Sequence, residues 1–220
     1  MSSTTGRKYI RFKMPIVVQH MLLTISAFGS MFSGYKIYSI QTVESEITWV
    51  EIHIIFGFLL LIVILWHFLY IIFTIYGHND FMQMLLRRGD IKRIAALGFG
   101  NRSKTKGRFD LQEKVTYWII GSYILIMAST GLLRFANRIS LEHLPQNLYV
   151  ILIEVHSIYG LYLGIILIAW HLYSIFLRPG HFPGTLSWLN GKVTEEERPE
   201  LFQRGEFEGN KENLDSGSDS

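Results

Sequence analysis

Apolar residues along this chain neither alternate with polar ones nor recur on a narrow helical stripe; they gather in four long blocks, at residues 14–35, 48–76, 114–136 and 149–177. Each block reaches the length of about 20 mostly apolar residues that a helix needs to cross a bilayer. Asp, Glu, Lys and Arg are absent from the middle of every block. A backbone surrounded by lipid must satisfy its polar groups internally, so each block is read as a transmembrane helix. The pattern predicts an all-α, integral membrane four-helix bundle over residues 14–177, preceded by a polar tail at 1–13. The first block follows polar residues, is long enough to span and lacks a convincing small-residue cleavage site, which favours a permanent helix over a signal peptide. After the fourth block, Trp188, Leu189, Leu201 and Phe202 lie among charges, predicting a short interfacial helix within a segment at 178–204. Residues 205–220, rich in Glu, Gly, Ser, Asp and Asn, predict a disordered acidic tail.

Charge orients the bundle. Arg7, Lys8, Arg11 and Lys13 precede the first block, and Arg87, Arg88, Lys92, Arg93, Arg102, Lys104, Lys106 and Arg108 lie between the second and third. The other two loops carry only Lys36, beside Glu44 and Glu46, and Arg134 and Arg138. The positive-inside rule then puts both termini in the cytoplasm, as expected for a multi-pass protein of the cell inner membrane. The net charge of +3 reflects this anchoring. No basic stripe with interleaved aromatics points to nucleic acid. The chain has no cysteine, which excludes disulfides, cysteine-held iron–sulfur clusters and thioether-linked haem.

Histidines are the candidate chemistry. His53 and His67 bound the second block's apolar core, and His156 and His171 do the same in the fourth. At about 100° per residue, separations of fourteen and fifteen return each partner to nearly the same helix face, roughly 21 Å further along. In the N-in arrangement the two helices run the same way, so His53 is level with His156 at the outer side and His67 with His171 at the inner side. Two facing imidazoles inside a helix bundle suit the axial positions of a b-type haem, and two such haems would stack across the membrane. Gly57, Gly160 and Gly164 follow the outer histidines at helical spacing and would let a flat macrocycle approach the backbone, although glycine also serves helix packing. His20 lies at the inner level in the first block, so three histidines compete for two inner positions. A single intramembrane histidine is commonly a structural hydrogen-bonder; four paired by height and face are less easily explained that way. A zinc site would need its ligands clustered at one level, which this long separation does not supply.

The chain resembles the membrane cytochrome b subunits of respiratory formate dehydrogenases and nickel–iron hydrogenases, from residue 9 to about 200. The likeness is carried by His20 with Ser33-Gly34, by His53, by the run Gly107-Arg-Phe-Asp-Leu-Gln-Glu-Lys114 leading into Tyr117-Trp118 and Thr130-Gly131, and by His156, His171 and the closing Phe182-to-Gly191 segment. The resemblance implies two haems b, with His53 and His156 holding the outer iron and His20 and His171 the inner one. It also implies electron transfer between a redox partner and a menaquinone or ubiquinone. His67 departs from that pattern. Its presence is similar to the cytochrome b of bc-type complexes, in which the second and fourth helices supply all four ligands, and this leaves His67 as the alternative inner ligand with His20 as the spare. The quinol-oxidation motif of those complexes is absent.

In the resembling family the segment before the third helix meets the quinone. Here it carries Asp110 and Glu113, carboxylates suited to proton exchange at a membrane edge and equally to starting a helix. Arg108, Lys114 and Arg178 at the inner face, and Arg134 and Arg138 at the outer, could pair with haem propionates. Trp49, Trp118, Tyr149 and Trp188 read as interfacial or packing residues, and His78, His143 and His181 as solvated or partner-facing. A chain with no catalytic metal centre or nucleotide motif is expected to pair with an outer-side redox subunit, whether a dehydrogenase, a hydrogenase or a multihaem c-type cytochrome, through loops 36–47 and 137–148. Two other readings follow from the same residues: a stand-alone quinone-linked haem reductase, and a non-haem transporter or anchor whose histidines relay protons.

Overall fold

The computed structural model describes residues 8–39, 43–91, 109–140, 144–177 and 187–194. Four long helices account for most of them: α1 (Met14–Ser39), α2 (Val43–Phe73), α4 (Leu111–Arg138) and α5 (Gln146–Leu177). Between α2 and α4 comes a shorter helix, α3 (Ile75–Met84), and after α5 a four-residue helix, α6 (Ser187–Asn190). Strands β1 (Lys8–Ile10) and β2 (Lys192–Thr194) flank the helical part of the chain. Each long helix is apolar enough and long enough to cross a membrane. Ile55, Ile62, Ile72, Phe73, Ile126 and Ile166 turn outward and exposed, as side chains meeting lipid tails would.

The helix ends differ from the apolar blocks for local reasons. α4 starts three residues before its block because Asp110 and Glu113 form a capping box. Asp110 Oδ1 accepts from the Glu113 N–H at 2.7 Å, and Glu113 Oε2 accepts from the Asp110 N–H at 2.9 Å, so two of the helix's orphan donors are satisfied reciprocally. The second block breaks at Thr74, whose extended backbone ends α2 and whose hydroxyl oxygen accepts from the Gly77 N–H at 3.0 Å to begin α3. Gly77 is needed there, since a Cβ would collide with the Tyr70 carbonyl.

α1 lies along α2 over much of its length, and α5 touches both α1 and α4. Small residues permit this closeness: Ser26 and Ser33 are fully buried, and a Cβ on Gly29 would enter the Phe56 ring. Gly160 and Gly164 likewise serve packing against α4, where Met127 and Tyr123 occupy the space their side chains would need.

The N-terminal end of the bundle is closed by contacts distant in sequence. β1 and β2 pair antiparallel, with Tyr9 opposite Val193, both buried. Gly191, at φ +70°, offers its carbonyl to the N–H groups of Arg11 and Phe12. Of the segment 178–204, the described residues hold a short helix at Ser187–Asn190, which carries Trp188 and Leu189, and the strand that follows, while Leu201, Phe202 and the acidic tail lie outside the described residues. Two ion pairs add to the closure, Arg11 to Glu113 at 2.7 Å and Lys114 to Asp90 at 2.9 Å. Both members of the second pair are 8% exposed, so removing Lys114 takes a cation from the buried Asp90 carboxylate, which still accepts from the Arg87 N–H at 3.0 Å. Lys114→Met is expected to destabilise the fold by about 1–3 kcal/mol, read as an earlier midpoint in thermal unfolding followed by tryptophan fluorescence. An unchanged midpoint would mean that the Arg87 N–H and its other contacts suffice for Asp90.

Candidate functional site: two facing imidazole pairs

The first pair lies toward the end of the bundle where α1 leaves and α2 enters. His53 on α2 faces His156 on α5, with ring centroids 5.9 Å apart and planes at 89°. Neighbouring helices fix the tautomer of each ring. His53 Nδ1 lies 2.9 Å from the Ser30 carbonyl oxygen, which only accepts, so Nδ1 carries the hydrogen and Nε2 keeps its lone pair. His156 Nδ1 lies 2.9 Å from the Thr130 hydroxyl, whose own hydrogen is directed to the Ile126 carbonyl at 2.7 Å. The hydroxyl therefore accepts from the ring, and His156 Nε2 is also left bare.

One local device serves both rings. Ser33-Gly34 on α1 meets His53, and Thr130-Gly131 on α4 meets His156. In each, the hydroxyl approaches Nδ1, Ser33 Oγ being 3.1 Å from His53. The adjacent glycine gives the ring room: a Cβ on Gly34 would stand 3.4 Å from His53 Cε1, and one on Gly131 only 2.9 Å from His156 Cε1. α5 departs from α-helical winding at this point, with a wider π-helical turn over Glu154–Tyr159 that contains His156. Such turns are frequent where a helix must aim a functional side chain.

The second pair lies toward the N-terminal end. His20 on α1 and His171 on α5 have ring centroids 6.3 Å apart at an interplanar angle of 42°. Trp188 of α6 stands 6.2 Å from His20. His20 Nδ1, His171 Nδ1 and Trp188 Nε1 are buried without a hydrogen-bond partner. His67, the third histidine of this end, is held differently. Its Nδ1 lies 3.0 Å from Gln19 Oε1 and its Nε2 3.1 Å from the Tyr117 hydroxyl, so both ring nitrogens are engaged.

These rings fit a haem. Two nitrogens bound to one metal at about 2 Å each set their ring centroids about 6 Å apart, which is the separation in both pairs. The fixed tautomers of the first pair present the nitrogen that binds metal and polarise it from behind, as ligating histidines require. Among the described residues no three of His, Asp and Glu converge as a compact metal site would need.

The sequence model of the prokaryotic cytochrome b561 family matches residues 11–186, taking in all four long helices and all five intramembrane histidines. The chain belongs to that family. It is a multi-pass membrane b-type cytochrome that acts in electron transfer and takes haem b, in line with the resemblance to the hydrogenase and formate dehydrogenase subunits. No curated protein matches it significantly.

The remaining candidates are placed as follows. Asp110 and Glu113 are both used in the α4 cap, and Glu113 also holds Arg11. Lys114 is paired with Asp90, and Arg134 Nη1 donates to Ser157 Oγ at 3.0 Å, next to His156. Trp49 packs edge-on against Phe32, and Trp118 lies against Phe81 and donates to the Met84 carbonyl. His78 is on α3, whereas Arg108, Arg178, His143 and His181 lie outside the described residues. Sequence reasoning missed Gln19 and the His67–Tyr117 link, for which spacing gives no signal. The repeated hydroxyl–glycine dipeptide was visible, and its recurrence on two helices was the usable clue.

Proposed function

We propose that the chain is a dihaem cytochrome b that carries electrons across the cell inner membrane between an outer-side redox partner and the quinone pool, as the membrane anchor of a respiratory complex. The observation that carries this reading is the pair of facing imidazoles at each end of the bundle, 5.9 and 6.3 Å between centroids. His53 and His156 hold one haem, and His20 and His171 the other. The haem supplies a one-electron couple, and the protein's part is to fix the axial nitrogens and to keep water away. Ser30 and Thr130 hold the first pair's rings in the ligating tautomer, and Trp188 with the β1–β2 clasp closes the bundle over the second.

The positive-inside rule favours a cytoplasmic N-terminal end, which sets the second pair near the cytoplasmic face. The quinone then reacts at that end, close to the α4 cap, and a dehydrogenase, hydrogenase or multihaem c-type cytochrome docks at the opposite end.

Haem content and quinol reactivity of the purified protein test this. The expected result is two haems b per chain by pyridine haemochrome, both reducible by a quinol such as menadiol. A single haem would reject the dihaem arrangement, and no haem would favour the transporter reading. Turnover without any co-purifying subunit would favour a stand-alone reductase.

A further inference from the structure

We infer that Gln19, His67 and Tyr117 form the head-group end of the quinone site, with the Tyr117 hydroxyl meeting the quinone oxygen and the chain behind it reversing polarity between oxidised and reduced ligand. This rests on the quinone-linked reading above and deepens it by naming the groups that touch the ligand.

Three helices each contribute one group to a continuous chain, Gln19 from α1, His67 from α2 and Tyr117 from α4, linked at 3.0 and 3.1 Å. The donors can be counted. Gln19 Oε1 accepts, so His67 Nδ1 carries the hydrogen; Nε2 is then bare and accepts from the Tyr117 O–H. The Tyr117 oxygen is left with lone pairs only, and these suit the hydroxyl of a hydroquinone.

The other end of the same amide supplies the reverse arrangement. Gln19 Nε2 is buried without a partner, so rotating the amide, together with a change of tautomer in which His67 gives up its Nδ1 proton and takes one at Nε2 by exchange with water, reverses the chain at no loss of hydrogen bonds. Gln19 Nε2 then donates to His67 Nδ1, His67 Nε2–H donates to the Tyr117 oxygen, and the Tyr117 O–H is released to donate to a quinone carbonyl. Each arrangement makes three hydrogen bonds including that to the ligand. A link that only joined helices would gain nothing from a buried donor left without a partner, which is unfavourable.

The location is suitable. Gln19 precedes His20, so the chain lies one residue from the second imidazole pair, and Tyr117 follows the Asp110–Glu113 cap on α4. Tyr117 and Trp118 are only half-buried, and the Trp118 ring stands 5.6 Å from Tyr117 and 6.0 Å from Phe81. These rings offer apolar faces for a flat head group.

The test uses the full haem-loaded chain with menadione and menadiol as probes, binding being followed by quenching of tryptophan fluorescence. Tyr117→Phe is expected to weaken menadione binding about three- to tenfold, the scale of one hydrogen bond, with the haem spectrum unchanged. Gln19→Leu keeps the tyrosine but removes the reversible end, and is expected to shift the ratio of menadione to menadiol affinity by a similar factor. A purely structural link would leave that ratio alone. If a parent protein that binds menadione is matched by both variants, the inference is overturned and the quinone-linked reading stands. If the parent binds neither form, that reading fails and the inference with it. Should the variants not fold, infrared difference spectra of the parent decide. A bound carbonyl stretch lowered by a hydrogen bond that exchanges in D2O supports the inference, and an unshifted stretch overturns it.

Discussion

In a side-by-side purification, His20→Ala is expected to lose one of the two proposed haems b while His67→Ala keeps both. The expectation rests on what each imidazole faces. His20 and His171 have centroids 6.3 Å apart, and the rings' Nδ1 atoms are occupied by no other residue. His67 spends both nitrogens on Gln19 and Tyr117. Consecutive residues of a helix point about 100° apart, so Gln19 and His20 divide two tasks between adjacent faces of α1. One holds His67 on α2, and the other presents its ring to α5. If His20 and His171 hold the second haem, truncating His20 would remove one of its two holding residues, and half of the haem should be absent by pyridine haemochrome. Truncating His67 leaves Gln19 and Tyr117 unpaired at about 1–3 kcal/mol, lowering the thermal midpoint with haem content intact. The opposite result, one haem lost in His67→Ala and none in His20→Ala, would move the ligand set onto α2 and α5 alone. Loss in both would be resolved by His67→Gln, which retains polar contacts but is a poor haem ligand.

The ambiguity between these two histidines shows where sequence reasoning stops. Four apolar blocks revealed four helices because a lipid environment imposes length and composition on each independently. The fourteen- and fifteen-residue separations revealed that α2 and α5 each present two imidazoles on one face, because helical phase is a property of one helix. Which ring meets which depends on the rotation of helices against each other, and no period within a chain encodes that. Gln19 was therefore read as an ordinary residue of an apolar run. The β1–β2 clasp joins three residues near the start to three beyond the fourth span, too short and too far apart for any pattern to declare. Thr74 broke the second block without Gly or Pro, acting through its hydroxyl as a cap. The α4 start was legible, since Asp110 and Glu113 are suited to beginning a helix and form its capping box, although the apolar block itself began only at 114. Gly160 and Gly164 illustrate the reverse failure: their spacing suited a haem cradle, yet Met127 and Tyr123 fill the space beside them.

The bundle repeats one idea in two helix pairs. In α1–α2 the second helix gives His53 and the first gives the carbonyl, hydroxyl and glycine that seat it; in α4–α5 the second gives His156 and the first gives Thr130 and Gly131. Each histidine of the first pair is thus seated by the helix that precedes its own. The second pair has no such seat among the described residues, where Nδ1 of neither ring finds a partner. A hydrogen bond to Nδ1 raises the basicity of the opposite ring nitrogen, so a metal held at each pair would meet donors of unequal strength.

If His53 and His156 hold one of two haems, Gly131→Val should remove that haem and spare the other. A Cβ at this position would lie 2.9 Å from His156 Cε1, closer than carbon atoms settle, and the two methyls of valine extend further toward the ring. The ring cannot yield toward Thr130, which already holds its Nδ1 at 2.9 Å, so it must swing off the axis shared with His53. Gly34→Val should be milder, because the corresponding Cβ stands 3.4 Å from His53 Cε1, near ordinary contact. Thr130→Val separates steric from electronic effects. It keeps the shape but removes the acceptor, and losing such an outer partner weakens metal retention by about 10-fold or more. Haemochrome content with a redox titration distinguishes the cases: one component missing in Gly131→Val, and both present in Thr130→Val with one lost more readily on dilution. Two full components in Gly131→Val would mean that α4 can withdraw from α5 without disturbing His156, and the hydroxyl–glycine seat would then have no part in holding the ligand.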